Sequence, residues 1–178
     1  MKKVVLYIAM SLDGYIADKN GGVSWLVGED RDIQLSSYDE FIKTVDTIIM
    51  GNNSYSQITT ELSPDKWVYE GMKTFVLTHR DMISNRDVEF TKENIVDLVN
   101  RIRAKASNEG KDIWLCGGSD LVHQFMEKDL IDRYHVTVIP TILGAGIRLF
   151  KKLDQPLLLK HISNRAINGM VDVVYDRR

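Results

Sequence analysis

Four short apolar runs, each stopped by glycine or a polar cluster, constrain this chain more than any other feature. Residues 4–10 are nearly continuous apolar sequence rich in β-branched side chains and close at Asp13-Gly14. Residues 47–50 stop at Gly51-Asn52-Asn53, residues 74–77 at Thr78-His79-Arg80, and residues 113–116 at Gly117-Gly118-Ser119. An uninterrupted apolar run is what a strand covered on both faces requires, so these four predict the central strands of a buried sheet. Helical patterns fall between them. Ile95, Leu98, Val99 and Ile102 keep the i, i+3, i+4, i+7 spacing, with Thr91 as N-cap, Glu93 in the first turn and Gly110 beyond the end. Leu121, Val122, Phe125 and Met126 form a second apolar face directly after Gly118, and Tyr38, Phe41, Ile42 and Val45 a third before the second strand. Alternation of this kind predicts a mostly parallel, doubly wound α/β sheet. After Asp129 the pattern changes to strand-like runs at 134–139, 157–162 and 171–175. Asn168-Gly169 is a hairpin signal, so antiparallel strands are expected at the sheet's edge. Nothing reads as a linker, a low-complexity tract or a repeat, and residues 1–178 are expected to form one domain.

Bulk properties narrow the functional classes. With 178 residues, 44% hydrophobic content and a formal net charge of −2, the chain has material for a substantial core and no basic stripe for nucleic acid. Cys116 is the single cysteine and cannot form an intrachain disulfide, which fits the cytoplasm. Lys2 and Lys3 before the apolar run imitate a signal peptide, but the run is short and ends in a turn rather than a cleavage site. No stretch reaches the ~20 apolar residues that span a bilayer. The expected partner is a small molecule, with neither membrane nor nucleic acid. His79, His123, His135 and His161 lack metal-ligand spacing, so no metal is expected.

Two segments repeat one pattern: residues 47–54 and residues 113–119 each run from a buried strand into glycine and then a helix start. Glycine lets a ligand approach the backbone, and a helix start offers free N–H groups and partial positive charge, so each can hold a phosphate. Each glycine can equally serve only a tight strand-to-helix turn. Neither matches the full dinucleotide fingerprint, but two such ends on neighbouring strands could grip a pyrophosphate. Arg80, past the third strand, adds a cation or a plain surface arginine. Asp13 reads as the residue of an Asp-Gly turn, and Cys116 as a packed thiol.

The order Ser11-Leu12-Asp13-Gly14-Tyr15-Ile16-Ala17, Trp25-Leu26, Gly51 with Ser54-Tyr55, Val76-Leu77-Thr78-His79-Arg80, Cys116-Gly117-Gly118-Ser119, Leu130-Ile131-Asp132 and residues 139–150 resembles the dihydrofolate-reductase-like family. Within it the chain is most similar to the branch of the RibD C-terminal reductase domain of riboflavin biosynthesis. The resemblance implies a three-layer α/β/α fold, bound NADPH, a homodimer, and hydride transfer to a small heterocyclic or ribosyl substrate, as in 5-amino-6-(5-phosphoribosylamino)uracil reductase. Position by position, it implies that Ala9 and Ile16 flank the nicotinamide. Gly51, Asn52, Asn53 and Ser54 would meet phosphate at one helix start, Thr78 and Arg80 the adenosine ribose and its 2′-phosphate. Gly117, Gly118, Ser119 and Leu121 would meet the pyrophosphate at the other start, and Ser11, Asp13 and Trp25 the substrate.

The chain departs from its relatives at Asn52, where the family commonly has arginine; an amide cannot clamp a phosphate as a guanidinium does, so preference for NADPH over NADH leans on Arg80. No arginine lies between Arg31 and Arg80, which argues against folate, although reduction of dihydrofolate, another pterin or another small electrophile stays open. Asp30, five residues after Trp25, stands where such reductases keep a proton-donating acid. Glu29, Asp30 and Asp32 read equally as a solvated helix start. A non-catalytic nucleotide-binding protein is the remaining alternative.

Overall fold

The computed structural model describes residues 1–30, 36–105 and 110–178; Arg31 and Asp32 lie outside these. The chain enters through β1 (Val4–Ser11), whose Val4 and Leu6 are fully buried, and β2 (Tyr15–Ala17). It continues through α1 (Ser36–Phe41), β3 (Val45–Gly51), α2 (Asn52–Gln57), β4 (Lys73–Leu77) and β5 (Val88–Thr91). It then returns through α3 (Ile95–Lys105), β6 (Asp112–Leu115), α4 (Ser119–Glu127) and β7 (Arg133–Ile139), and ends with β8 (Ile147–Arg148), β9 (Leu159–Ile167) and β10 (Met170–Arg177). Eight strands form one sheet in the order β5-β4-β3-β6-β1-β7-β10-β9, and β2 pairs with β8 in a separate ribbon. The pairings from β5 across to β7 are parallel; β10 and β9 join antiparallel at the edge. The expected α/β architecture with antiparallel C-terminal strands is present.

Helices cover both faces, which is why the parallel strands read as unbroken apolar runs. On one face α3 sets Leu98 and Val99, and α4 sets Val122 and Phe125, against Leu6, Ile113 and Leu115, all fully buried. On the other the layer is aromatic. Tyr7 stacks on Phe41 with ring centroids 4.1 Å apart, Trp114 meets Phe41 edge-on at 5.5 Å, and Tyr69 meets Trp114 at 5.2 Å.

Carboxylates fasten the N-terminal ends of the strands. Asp132 accepts from the Val4 N–H at 2.7 Å and from Arg103 at 2.6 Å, Asp112 accepts from the Lys3 N–H, and Asp46 pairs with the largely buried Lys2. These bonds leave the opposite, C-terminal ends of the strands for other uses.

Several local expectations need correction. Thr91 ends β5 and does not cap α3; Asn94 does, its Oδ1 accepting from the Val96 N–H at 2.9 Å. Glu93 therefore precedes the helix, and its carboxylate is held by Arg101 in paired hydrogen bonds of 2.7 to 3.2 Å. Val45 opens β3 instead of extending the helical face, because a 3-10 turn (Ile42–Thr44) ends α1 early. The edge strand expected at 157–162 begins at Leu159 and continues to Ile167. Asn168 and Gly169 make its hairpin turn at φ +53° and +72°, a conformation these residue types tolerate.

Candidate functional site

β3 and β6 are neighbours in register from Val45↔Asp112 to Ile49↔Leu115, yet the chain leaves them toward opposite faces. After β3 it turns into α2, whose Tyr55 packs with the aromatic layer, and after β6 into α4, which packs on the other core. Adjacent strands that depart in opposite directions open a crevice at their C-terminal ends. A cleft of about 1380 Å³ occupies that place. This exceeds the ~300–1,000 Å³ of ordinary small-ligand pockets, so an extended ligand fits.

The cleft brings together Ala9, Ile16, Gly51, Asn52, Asn53, Ser54, Thr78, Gly117, Gly118, Ser119 and Leu121. Gly51 is the N-cap of α2 and Gly118 that of α4, and neither provides a side-chain cap. The first-turn N–H groups of a helix have no acceptor within it, so at α4 they remain available to a ligand. Gly51 and Gly118 have φ −85° and −72°, and a Cβ built on either meets nothing within 4 Å. Neither backbone conformation nor packing requires glycine there. At Gly117 a Cβ would come 3.0 Å from the Leu121 side chain, so that glycine serves the packing of α4. The Asn52 Oδ1 is buried without a hydrogen-bond partner among the described residues. Rotating the amide replaces it with Nδ2, a donor suited to a phosphate oxygen.

Arg80, Ser11, Asp13, Trp25 and Asp30 lie outside the cleft lining. Arg80 is exposed, and its N–H donates to Thr78 Oγ1 at 3.1 Å. Ser11 is fully buried; its hydroxyl donates to Asp13 at 2.6 Å and accepts from the Tyr15 N–H at 2.9 Å. Asp13 also accepts from the N–H groups of Leu143 and Gly144 at 3.1 and 2.8 Å, so its carboxylate clasps the loop after β7 to the turn after β1. The Ser11 hydroxyl and those two N–H groups pull the Asp13 carboxyl down to about 2. Trp25 is half-buried and donates from its indole to the Gly22 carbonyl at 3.2 Å. Asp30 is exposed, and its backbone is tied on both sides to the Asn168 amide, 2.8 and 2.7 Å away.

Residues absent from the sequence-based set also line the cleft, among them Gly21, Gly22, Gln57, Arg148 and Lys151. Gln57 donates to the Gly21 carbonyl at 3.1 Å and so fixes the loop after β2 against α2. Arg148 falls within residues 139–150, a segment that carries the family resemblance and to which the sequence assigns no role. Cys116 is a packed thiol, pushed up to about 12 by burial. Among the described residues no group of three or more His, Cys, Asp or Glu is placed to hold a metal ion.

The RibD C-terminal domain family profile matches residues 2–171. The chain belongs to the RibD C-terminal domain family. Two uncharacterised Bacillus subtilis proteins are relatives. YwjB is 35% identical over 99% of this chain and 98% of its own length, and YyaP is 32% identical over 98% and 94%. A candidate riboflavin biosynthesis protein from Shewanella sp. PV-4 superposes with a TM-score of 0.84 at 29% identity, covering 99% of both chains. The Thermotoga maritima deaminase/5-amino-6-(5-phosphoribosylamino)uracil reductase shares the fold, with a TM-score of 0.71 at 18% identity over 99% of this chain and 57% of its own. In this RibD-type domain Gly51 at the end of β3 and Gly117 and Gly118 just beyond β6 line the cleft.

The Asp13 clasp has an acid limit. A carboxyl lowered from the ordinary 3.8 to about 2 adds stability that is complete above pH 3.8 and disappears as pH falls through 2. Asp13→Asn, which mimics the protonated form, should lower the urea midpoint at pH 5. The gap to the parent should narrow between pH 4 and pH 2, as read from denaturation curves at each pH.

Proposed function

We propose that this RibD-type domain is an oxidoreductase that binds NADPH and reduces a small heterocyclic or ribosyl substrate, in the manner of 5-amino-6-(5-phosphoribosylamino)uracil reductase. The observation that carries this reading is the pair of open glycines, Gly51 at the end of β3 and Gly118 beyond the end of its neighbour β6. Two backbone positions with no internal need for glycine, each opening a helix at the cleft, suit a pyrophosphate approached from both sides. The family membership and the reductase named among the structural neighbours support the same class of chemistry.

In this reading Gly51, Asn52, Asn53 and Ser54 receive phosphate at α2, and Gly117, Gly118, Ser119 and Leu121 at α4. Thr78 and Arg80 take the adenosine ribose and its 2′-phosphate, and Ala9 and Ile16 give the nicotinamide an apolar bed. When bound, the reduced cofactor supplies the hydride. Ser11, Asp13 and Trp25 shape the substrate side, Ser11 and Asp13 by holding the turn that carries β2. Asp30 is the proposed source of the proton. A cytoplasmic location accords with the lone Cys116. A homodimer is the proposed assembly, for which the edge strand β9, exposed along most of its length, offers unpaired backbone.

Three measurements test these assignments. Gly118→Val should abolish NADPH binding in a fluorescence titration while the melting temperature stays close to that of the parent, because its side chain enters open space. If the variant binds NADPH as the parent does, the proposed phosphate site is wrong. Arg80→Ala should weaken NADPH by roughly ten- to a hundredfold, the loss of one charge-assisted hydrogen bond of ~1.5–3 kcal/mol, and leave NADH nearly unchanged. Equal losses for both cofactors would remove Arg80 from phosphate recognition. Once a substrate is in hand, Asp30→Asn, which cannot give up a carboxyl proton, should lower kcat at least tenfold with KM little changed. An unaltered kcat would assign the proton to another donor.

A further inference from the structure

Position 52, at the start of α2, presents an amide to the cleft, and another part of the fold brings an arginine to it. Arg148 lies opposite Tyr15 in the β2–β8 ribbon, and its guanidinium carbon stands 4.7 Å from the centroid of the Tyr15 ring. Its mounting is rigid. The next residue, Leu149, is fully buried, donates its N–H to the Gly14 carbonyl at 2.9 Å and accepts from the Ser119 hydroxyl at 3.5 Å. The backbone beside Arg148 is therefore bonded to the turn before Ile16 and to the first residue of α4.

Other cations that line the cleft are differently placed. Lys92 pairs with Asp81, Lys151 pairs with Asp120, and Lys128 follows the far end of α4. Arg148 joins no ion pair among the described residues, and its contact is to an aromatic face. A guanidinium stacked on a ring keeps its N–H edges free, and those edges match two phosphate oxygens at once.

We propose that Arg148 is the cation that binds the pyrophosphate of the dinucleotide, from the nicotinamide side, opposite the first turn of α4. The inference rests on the reading that this cleft takes a nicotinamide dinucleotide. It assigns to the β2–β8 ribbon a charged role that the neutral amide of Asn52 does not supply. The pyrophosphate is common to NADPH and NADH, so Arg148 contributes to affinity for both and to preference for neither.

The test is a fluorescence titration of the parent, Arg148→Gln and Arg148→Lys with NADPH, NADH, reduced nicotinamide mononucleotide and 2′-AMP, at low and moderate salt. Arg148→Gln should weaken both dinucleotides by the same factor, about tenfold or more. It should weaken the mononucleotide as well, leave 2′-AMP unchanged and flatten the salt dependence. Arg148→Lys, which keeps the charge, should recover part of the loss. A melting temperature near that of the parent would show that the exposed side chain was removed without harm to the fold. If the parent binds dinucleotide and Arg148→Gln binds it equally well, or loses NADPH alone, the inference is wrong. If the parent binds neither dinucleotide, the reading beneath it fails first.

Discussion

β3 and β6 are far apart in sequence, and everything proposed for the cleft depends on their lying side by side. Their parallel register is set by large apolar side chains that have no exposed alternative: Ile48 and Ile49 on one strand, Ile113, Trp114 and Leu115 on the other, all buried. A slip of one residue would exchange the two faces, moving Ile49 out of the layer under α3 and α4 and Ile48 out of the aromatic layer under α1. Because the register is fixed, the two glycine ends are fixed too. The divergence of the two chain paths then produces the cleft without any further device.

The charges are distributed to suit this arrangement. Lys2, Asp46, Asp112, Asp132 and Arg103 are engaged at the N-terminal ends of the strands, where pairs with partial burial orient the sheet against α3. The C-terminal ends hold uncapped backbone and small residues, and the β2–β8 ribbon adds Arg148, whose contact is a ring, to the same cleft. In the proposed reading, stability and recognition are placed at opposite ends of the same strands. The turn after β1 bridges the two tasks, since Ser11 and Asp13 are consumed in holding the loop that carries Arg148 and Leu149.

Much of this was legible in the sequence, for definite physical reasons. Strands covered on both faces have to be apolar throughout, so β1, β3, β4 and β6 announced themselves, and Asn168-Gly169 marked its hairpin by requiring positive φ twice. β5 escaped notice because it is only Val88–Thr91 and includes Glu89, whose charge is used by Lys73 and Arg101. β2 and β8 escaped because a two-stranded ribbon is stabilised by contacts between distant segments, which no local period reports. Thr91 was mistaken for a cap because Thr91 and Asn94 are both capping residues, and only the end of β5 decides between them. At the cleft, the backbone positions could be foreseen from glycine. Arg148 could not, since its relevance comes from a ribbon that folds back across the molecule.

Hydrogen–deuterium exchange of the parent with and without NADPH tests the central claim most directly, because it reads the backbone N–H groups said to hold the phosphates. The account predicts slower exchange on binding at residues 51–56 and 117–121, with the edge hairpin from β9 to β10 unchanged. Exchange unaltered at both glycine-led helix starts, under conditions where NADPH is bound, would contradict it.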